Sequence, residues 1–209
     1  MAITTYTELQ TAVNNWLART DLAGRSPEFI ALAEGRMNRE LETRSQEKRV
    51  TASLTAGDGY VSLPTDLRRI REVRLNTSPL TVLNYYSPHA IDREFSSAAT
   101  GKPSSYSIIG SEIYLRPTPD SAYTAEILYV ASLDALDADT ATNNVLARHP
   151  DVYLHGALAE AFGYLMDETR RTYHDALFTN AVASIKADED KAKFGSGALT
   201  YSTDYGEVQ

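Results

Sequence analysis

Histidine is the side chain best suited to move a proton or hold a transition metal near neutral pH, and this chain has four: His89, His149, His155 and His174. None lies three or four residues from another, the spacing that puts two imidazoles on one helical face in a zinc protease. His155 meets Val152, Leu158 and Ala159 at those distances and has only Asp151 near it, so no metal pair forms locally. Capping, surface and core roles account for all four. Asp134, Asp137 and Asp139 resemble the start of a calcium loop, but the central Gly and closing Glu of an EF-hand are missing, which predicts a solvated acidic loop. Gly110-Ser111 reads as a hairpin turn and lacks the strand-to-helix setting of a nucleophilic serine. The sequence has no glycine-rich phosphate loop either. The expectation is therefore no catalytic residue, no metal and no cofactor. The competing class, a small enzyme or binding protein, would need a convergent cleft of titratable groups.

Charge points toward assembly. Residues 1–46 carry five basic and six acidic side chains, residues 47–133 nine of each, and residues 134–209 six basic and thirteen acidic. Proteins that grip DNA neutralise phosphates with Lys and Arg, so a net charge of -8 held mostly in the last third argues against tight DNA binding. The basic run Arg68, Arg69, Arg71 and Arg74 is opposite in sign to that third, and neighbouring copies could present the two patches to each other in a head-to-tail contact. The bland reading of the same run is a strand with solvated arginines. Thirteen tyrosines, against five Phe and one Trp, suit surfaces that are dry on one side and wet on the other.

The elements that must carry these groups follow from periodicity. Thr5 and Glu8 form a capping box, and Tyr6, Leu9, Val13, Trp16 and Leu17 keep helical spacing to about Arg19. A second helix starts at Ser26-Pro27, lines Phe29, Ile30, Ala33, Met37 and Leu41 on one face, ends near Thr43, and turns Glu34, Arg36, Asn38, Arg39 and Glu40 to solvent. From Glu47 the period is two. Val50 to Leu54 and Tyr60 to Leu63 flank Ala56-Gly57-Asp58-Gly59 as a hairpin, and Arg69 to Leu75 pairs with Leu80 to Tyr85. A short helix spans Ser87 to Phe95, Ser105 to Ile109 and Glu112 to Arg116 form a hairpin about Gly110-Ser111, and Tyr123 to Val130 pairs next.

After a linker over residues 133–144, Pro150 opens two helices or one kinked helix. Gly156 and Gly163 there predict close helix packing, since each glycine otherwise costs a helix about 1 kcal/mol. Residues 196–209 have little apolar content and read as disordered in isolation, with Leu199, Tyr201, Tyr205 and Val208 as the sizeable anchors for a partner. The fold class is α+β: a helical bundle from both chain ends, an inserted small antiparallel β-sandwich or barrel, and an extended C-terminal tail. The boundaries are 1–46 and 134–194 for the helical domain, 47–133 for the β insertion and 195–209 for the tail. No apolar run reaches the ~18 residues of a membrane span, no secretion signal opens the chain, and with no cysteine the expected compartment is a cytoplasm.

In succession, Tyr6 to Leu41, Tyr60-Val61-Ser62-Leu63-Pro64-Thr65-Asp66-Leu67, Gly101-Lys102-Pro103 through Ile113-Tyr114-Leu115-Arg116-Pro117, and Arg148-His149-Pro150-Asp151-Val152-Tyr153-Leu154 resemble the adaptor proteins of tailed bacteriophages. These are also called head-to-tail connector or head completion proteins, and the likeness runs over residues 3–194. The resemblance implies a virion protein of the neck, made in the bacterial cytoplasm. It further implies twelve copies in a ring between the portal protein and a downstream nozzle or tail-tube protein, around a channel for double-stranded DNA. It carries over no catalytic residue. Asp188, Glu189 and Asp190, or the loop from Asp134 to Asp139, are candidates to line such a channel, where acids would repel phosphates. A distal tail or baseplate protein shares the same assembly logic and differs in partner.

Overall fold

A computed structural model describes residues 2–95 and 99–193. The chain divides into two compact units, one made of the segments up to Leu41 and from Val145, the other of Glu42–Asn144. Among the described residues there are six α-helices: α1 (Tyr6–Leu17), α2 (Ser26–Glu40), α3 (Pro88–Glu94), α4 (Asn144–Arg148), α5 (Pro150–Tyr164) and α6 (Glu168–Lys193).

In the helical unit, α5 packs against α1, α2 and α6. The capping box opens α1 as expected: the Thr5 hydroxyl accepts from the Glu8 amide at 3.3 Å, and the Glu8 carboxylate accepts from the amides of Thr5 and Thr4 at 3.0 and 2.8 Å. α1 stops at Leu17, two residues before Arg19, because Ala18 turns left-handed at φ 52°. α2 ends at Glu40, short of Thr43, where Leu41 becomes extended and is fully buried. α5 and α6 are separate helices, broken at Met166, which is left-handed at φ 56°. The first helix of the pair is apolar almost all round and buried on most sides, from Val152 to Phe162. Along α6 the buried stripe is His174, Phe178, Val182 and Ile185, while Tyr173 is exposed. α4 starts at the last residue of the expected linker and fills the stretch before Pro150, where no helix is expected from the sequence.

Among the described residues, ten strands lie in the other unit: β1 (Glu47–Leu54), β2 (Tyr60–Ser62), β3 (Leu67–Leu75), β4 (Thr81–Val82), β5 (Asn84–Tyr85), β6 (Thr100–Gly101), β7 (Ser105–Ile109), β8 (Glu112–Arg116), β9 (Thr118–Pro119) and β10 (Tyr123–Ala131). One sheet runs β1-β10-β3-β4 and is antiparallel throughout; a second runs β2-β8-β7-β5, with β5 parallel to β7; β6 and β9 form a short parallel pair. Among the described residues no sheet closes into a barrel, which removes that alternative. Leu54, Val73, Leu75, Ala125, Ile127 and Tyr129 of the first sheet and Tyr106, Ile113 and Leu115 of the second share one buried cluster.

Three expected pairings change, the first being that of Leu80 to Tyr85, where β4 pairs with β3 but β5 pairs with β7. β1 and β2 are not a hairpin: β1 pairs along its whole length with β10, Glu47 opposite Val130 to Leu54 opposite Tyr123, and β2 pairs with β8. A three-residue strand cannot satisfy an eight-residue one, whereas the nine residues of β10 can. β10 accordingly sits between β1 and β3 and not beside the β7-β8 hairpin. That hairpin forms as read, with Ile109 opposite Glu112 and Gly110 at φ 62°.

Candidate functional site

The arginine run lies on β3, and its sequence does not keep a strand's period. Leu67, Ile70, Val73 and Leu75 are spaced three, three and two. A regular strand placing Val73 and Leu75 on the core would also place Arg71 and Arg69 there. Two β-bulges prevent this. Glu72 stands opposite Leu128 but Ile70 opposite Tyr129, and Arg69 opposite Val130 but Leu67 opposite Ala131, so Arg71 and Arg68 are the extra residues. Leu67, Ile70, Val73 and Leu75 then align with Ala131, Tyr129, Ile127 and Ala125, all buried.

Carboxylates of the same unit answer much of the arginine charge. Arg69 grips Glu42 with two nitrogens, one of them 3.3 Å away. Arg71 meets Glu47 at 2.6 Å, Arg74 meets Glu126 at 2.5 Å and Glu72 at 3.5 Å, and Arg49 reaches Glu126 at 3.0 Å. The hydrogen bond from Arg69 holds the Glu42 carboxyl below its ordinary value, aided by the through-space charges of Arg69, Arg68 and Arg71 and opposed by partial burial. A cleft of about 460 Å³ opens beside this strand, lined by Leu67, Arg68, Arg69, Ile70, Tyr85, Tyr106 and Ile108.

In the helical unit the fold joins two histidines that local spacing keeps apart. His155 Nδ1 and His174 Nδ1 are 3.2 Å from each other, linking α5 to α6 across 19 residues of sequence. Phe162 lies flat against His174 at 5.4 Å, and the Trp16 ring stands T-shaped to both imidazoles at 5.8 and 6.1 Å. One nitrogen must donate and the other accept, so the bond needs at least one neutral ring. Burial lowers the pKa of both; Asp151 opposes the shift on His155, and His155 adds to it on His174. Among the described residues no third metal-ligating side chain joins the pair.

The solvated face expected on α2 is partly buried. Glu34 is 6% exposed and accepts a hydrogen bond from the Tyr153 hydroxyl at 3.1 Å. Arg36 bridges Glu160 at 3.1 Å and Asp175 at 2.5 Å and covers the Phe178 ring at 4.3 Å. Its reach to α5 and α6 was invisible in the composition of α2 alone.

Of the acidic candidates, Asp188, Glu189 and Asp190 stand on the last turns of α6, where Asp188 takes Lys191 at 3.3 Å. In the 134–139 loop, Asp134 pairs with Lys48 at 3.2 Å, and Asp137 accepts from the amides of Asp139 and Thr140, closing its own turn. Leu199, Tyr201, Tyr205 and Val208 lie outside the described residues. Charged, aromatic and apolar groups thus meet in the cleft beside β3. The family model for the SU10 adaptor protein matches residues 4–200. The chain belongs to the SU10 adaptor protein family. This is a phage head-tail adaptor family, so the adaptor is a structural component of a bacteriophage. No curated protein matches the adaptor chain. Among its described residues no helix is long and apolar enough to cross a membrane.

Proposed function

We propose that this adaptor forms a ring of twelve copies at the neck of the virion, joining the portal protein to a downstream nozzle or tail-tube protein around a channel for double-stranded DNA. The family match over residues 4–200 carries this reading. The charge supports it: an acidic protein lets DNA pass without holding it. In this reading the segments 1–46 and 134–194 act as the helical domain, residues 47–133 as the β insertion, and the adaptor has no catalytic role. Its buried stripes are covered within each unit, so isolated copies remain monomeric and close only on a template, which keeps premature rings from competing with assembly.

Mass measured by light scattering, alone and with portal protein, tests this. The expected result is a monomer at micromolar concentration and twelve copies per portal ring. A stable ring without portal overturns templated closure, and attachment to a distal tail protein but not to portal overturns the placement.

A further inference from the structure

The β unit leaves a strand edge open next to its apolar cleft. β4 pairs only with Arg74 and Leu75 of β3, so among the described residues no strand lies along Leu67–Glu72 on the side away from β10. The cleft, at about 460 Å³, falls in the range of roughly 300–1,000 Å³ typical of binding pockets, and four consecutive β3 residues, Leu67 to Ile70, line it. Tyr85, which borders it, is 58% exposed. An unpaired edge with an apolar slot and a basic rim calls for one kind of ligand: an extended peptide, apolar at alternate residues and acidic between them.

The chain itself contains such a segment. From residue 194 onward there is no Lys or Arg, Asp204 and Glu207 are acidic, and Leu199, Tyr201, Thr203 and Tyr205 recur at every second position. We propose that residues 199–205 of one copy add as a strand to the open edge of β3 in a neighbouring copy. Tyr201 and Tyr205 enter the cleft beside Tyr85 and Tyr106, and Asp204 meets Arg68 and Arg69. Glu42 faces three guanidiniums there, and a further carboxylate adds to that array without displacing it. That the acceptor is a neighbour rests on the ring reading: a segment leaving each copy for the next is a heterologous contact, the kind that repeats around a ring. Twelve such contacts make a weak single one sufficient through avidity.

The test is the anisotropy of a fluorescein-labelled peptide of residues 194–209 titrated with the full-length chain. Saturable, salt-sensitive binding is expected, weakened about tenfold by Arg68→Glu in the chain or by Asp204→Lys in the peptide and recovered when both reversals are combined. Tyr85→Ala, at an exposed position, weakens it similarly and decides the matter if Arg68→Glu does not fold. No binding, or binding indifferent to these changes, overturns the proposal. Because the chain has no cysteine, a copy with Tyr85→Cys mixed with a differently tagged copy carrying Tyr205→Cys should yield a disulfide joining the two tags. A chain bearing both changes that closes only on itself overturns exchange between copies. Peptide binding is read on single copies without portal, so it stands or falls separately from the ring.

Discussion

At Gly156 a missing methyl group sets the distance between helices. A Cβ built there would lie 3.0 Å from the Cβ of Ala33 and 3.0 Å from Phe178 Cδ2, tighter than nine in ten real Cβ contacts. Gly156→Ala should gain about 1 kcal/mol in helix propensity but lose about 1–3 kcal/mol to overpacking, because Ala33 has no rotamer through which to yield. The expected net result is a lower melting temperature for the helical unit, checked by calorimetry; a rise would mean that α2 shifts freely. The histidine pair gives a second prediction. Both native pKa values lie below the ordinary 6.5, so between 6.5 and the depressed values the unfolded chain binds protons that the native one refuses. Stability is full above about 6.5 and falls as the pH drops from there through the native values. Thermal melts from pH 8 to 5 should show this slope, and His174→Phe should flatten it. The small residues of α5 announced close packing in the sequence; the histidine contact did not, because it depends on how α6 folds back on α5 and no local spacing encodes that.

The strand β3 shows how far a pattern constrains an element. Its apolar spacing of three, three and two demands two bulges, and deletions can tell the extra residues from the paired ones. Removing Arg71 leaves Ile70 and Val73 two apart, so every core residue keeps its face, and the cost should stay within about 2 kcal/mol, within the usual range for a single change. Removing Arg74 instead makes Val73 and Leu75 adjacent and turns one of them out of the core, where both are almost fully buried. That deletion should prevent the β unit from folding, read as lost amide protection in hydrogen exchange; equal tolerance of both deletions would refute the bulge assignment. The bulges were legible in principle, since residue spacing alone requires them. Helix starts at Tyr6, Ser26 and Pro150 and the β7-β8 hairpin were legible for the same local reason: caps, proline and glycine act within a few residues. The partner of β1 was not, because antiparallel pairing over some seventy residues leaves no local mark, and the nearest apolar run in sequence, β2, was too short to be it.

For the whole assembly the decisive quantity is the sign of the surface that DNA would pass. Residues 134–209 hold thirteen acids against six bases, and Asp188, Glu189 and Asp190 stand together near the end of α6, with Lys191 returning one positive charge through Asp188. If this end of the helix faces the channel, phosphates moving within a Debye length of about 8 Å at physiological salt meet repulsion, which keeps the duplex centred and unbound. Changing all three acids to Lys reverses six charge units in each copy, and the proposed ring of twelve would repeat that change around its bore. Lysines at successive phosphate positions would then release condensed counterions as DNA binds, which turns a passive wall into a brake whose strength falls steeply with salt. Ejection followed in single virions should therefore slow at low ionic strength and recover as salt is raised. The same triple change in Asp134, Asp137 and Asp139 is the control for position, since Asp134 is paired with Lys48 and Asp137 holds its own loop. Slowing by the α6 set alone would place that helix end at the channel, slowing by the loop set alone would place the loop there, and unchanged kinetics with both would put the acidic surface on the outside of the ring.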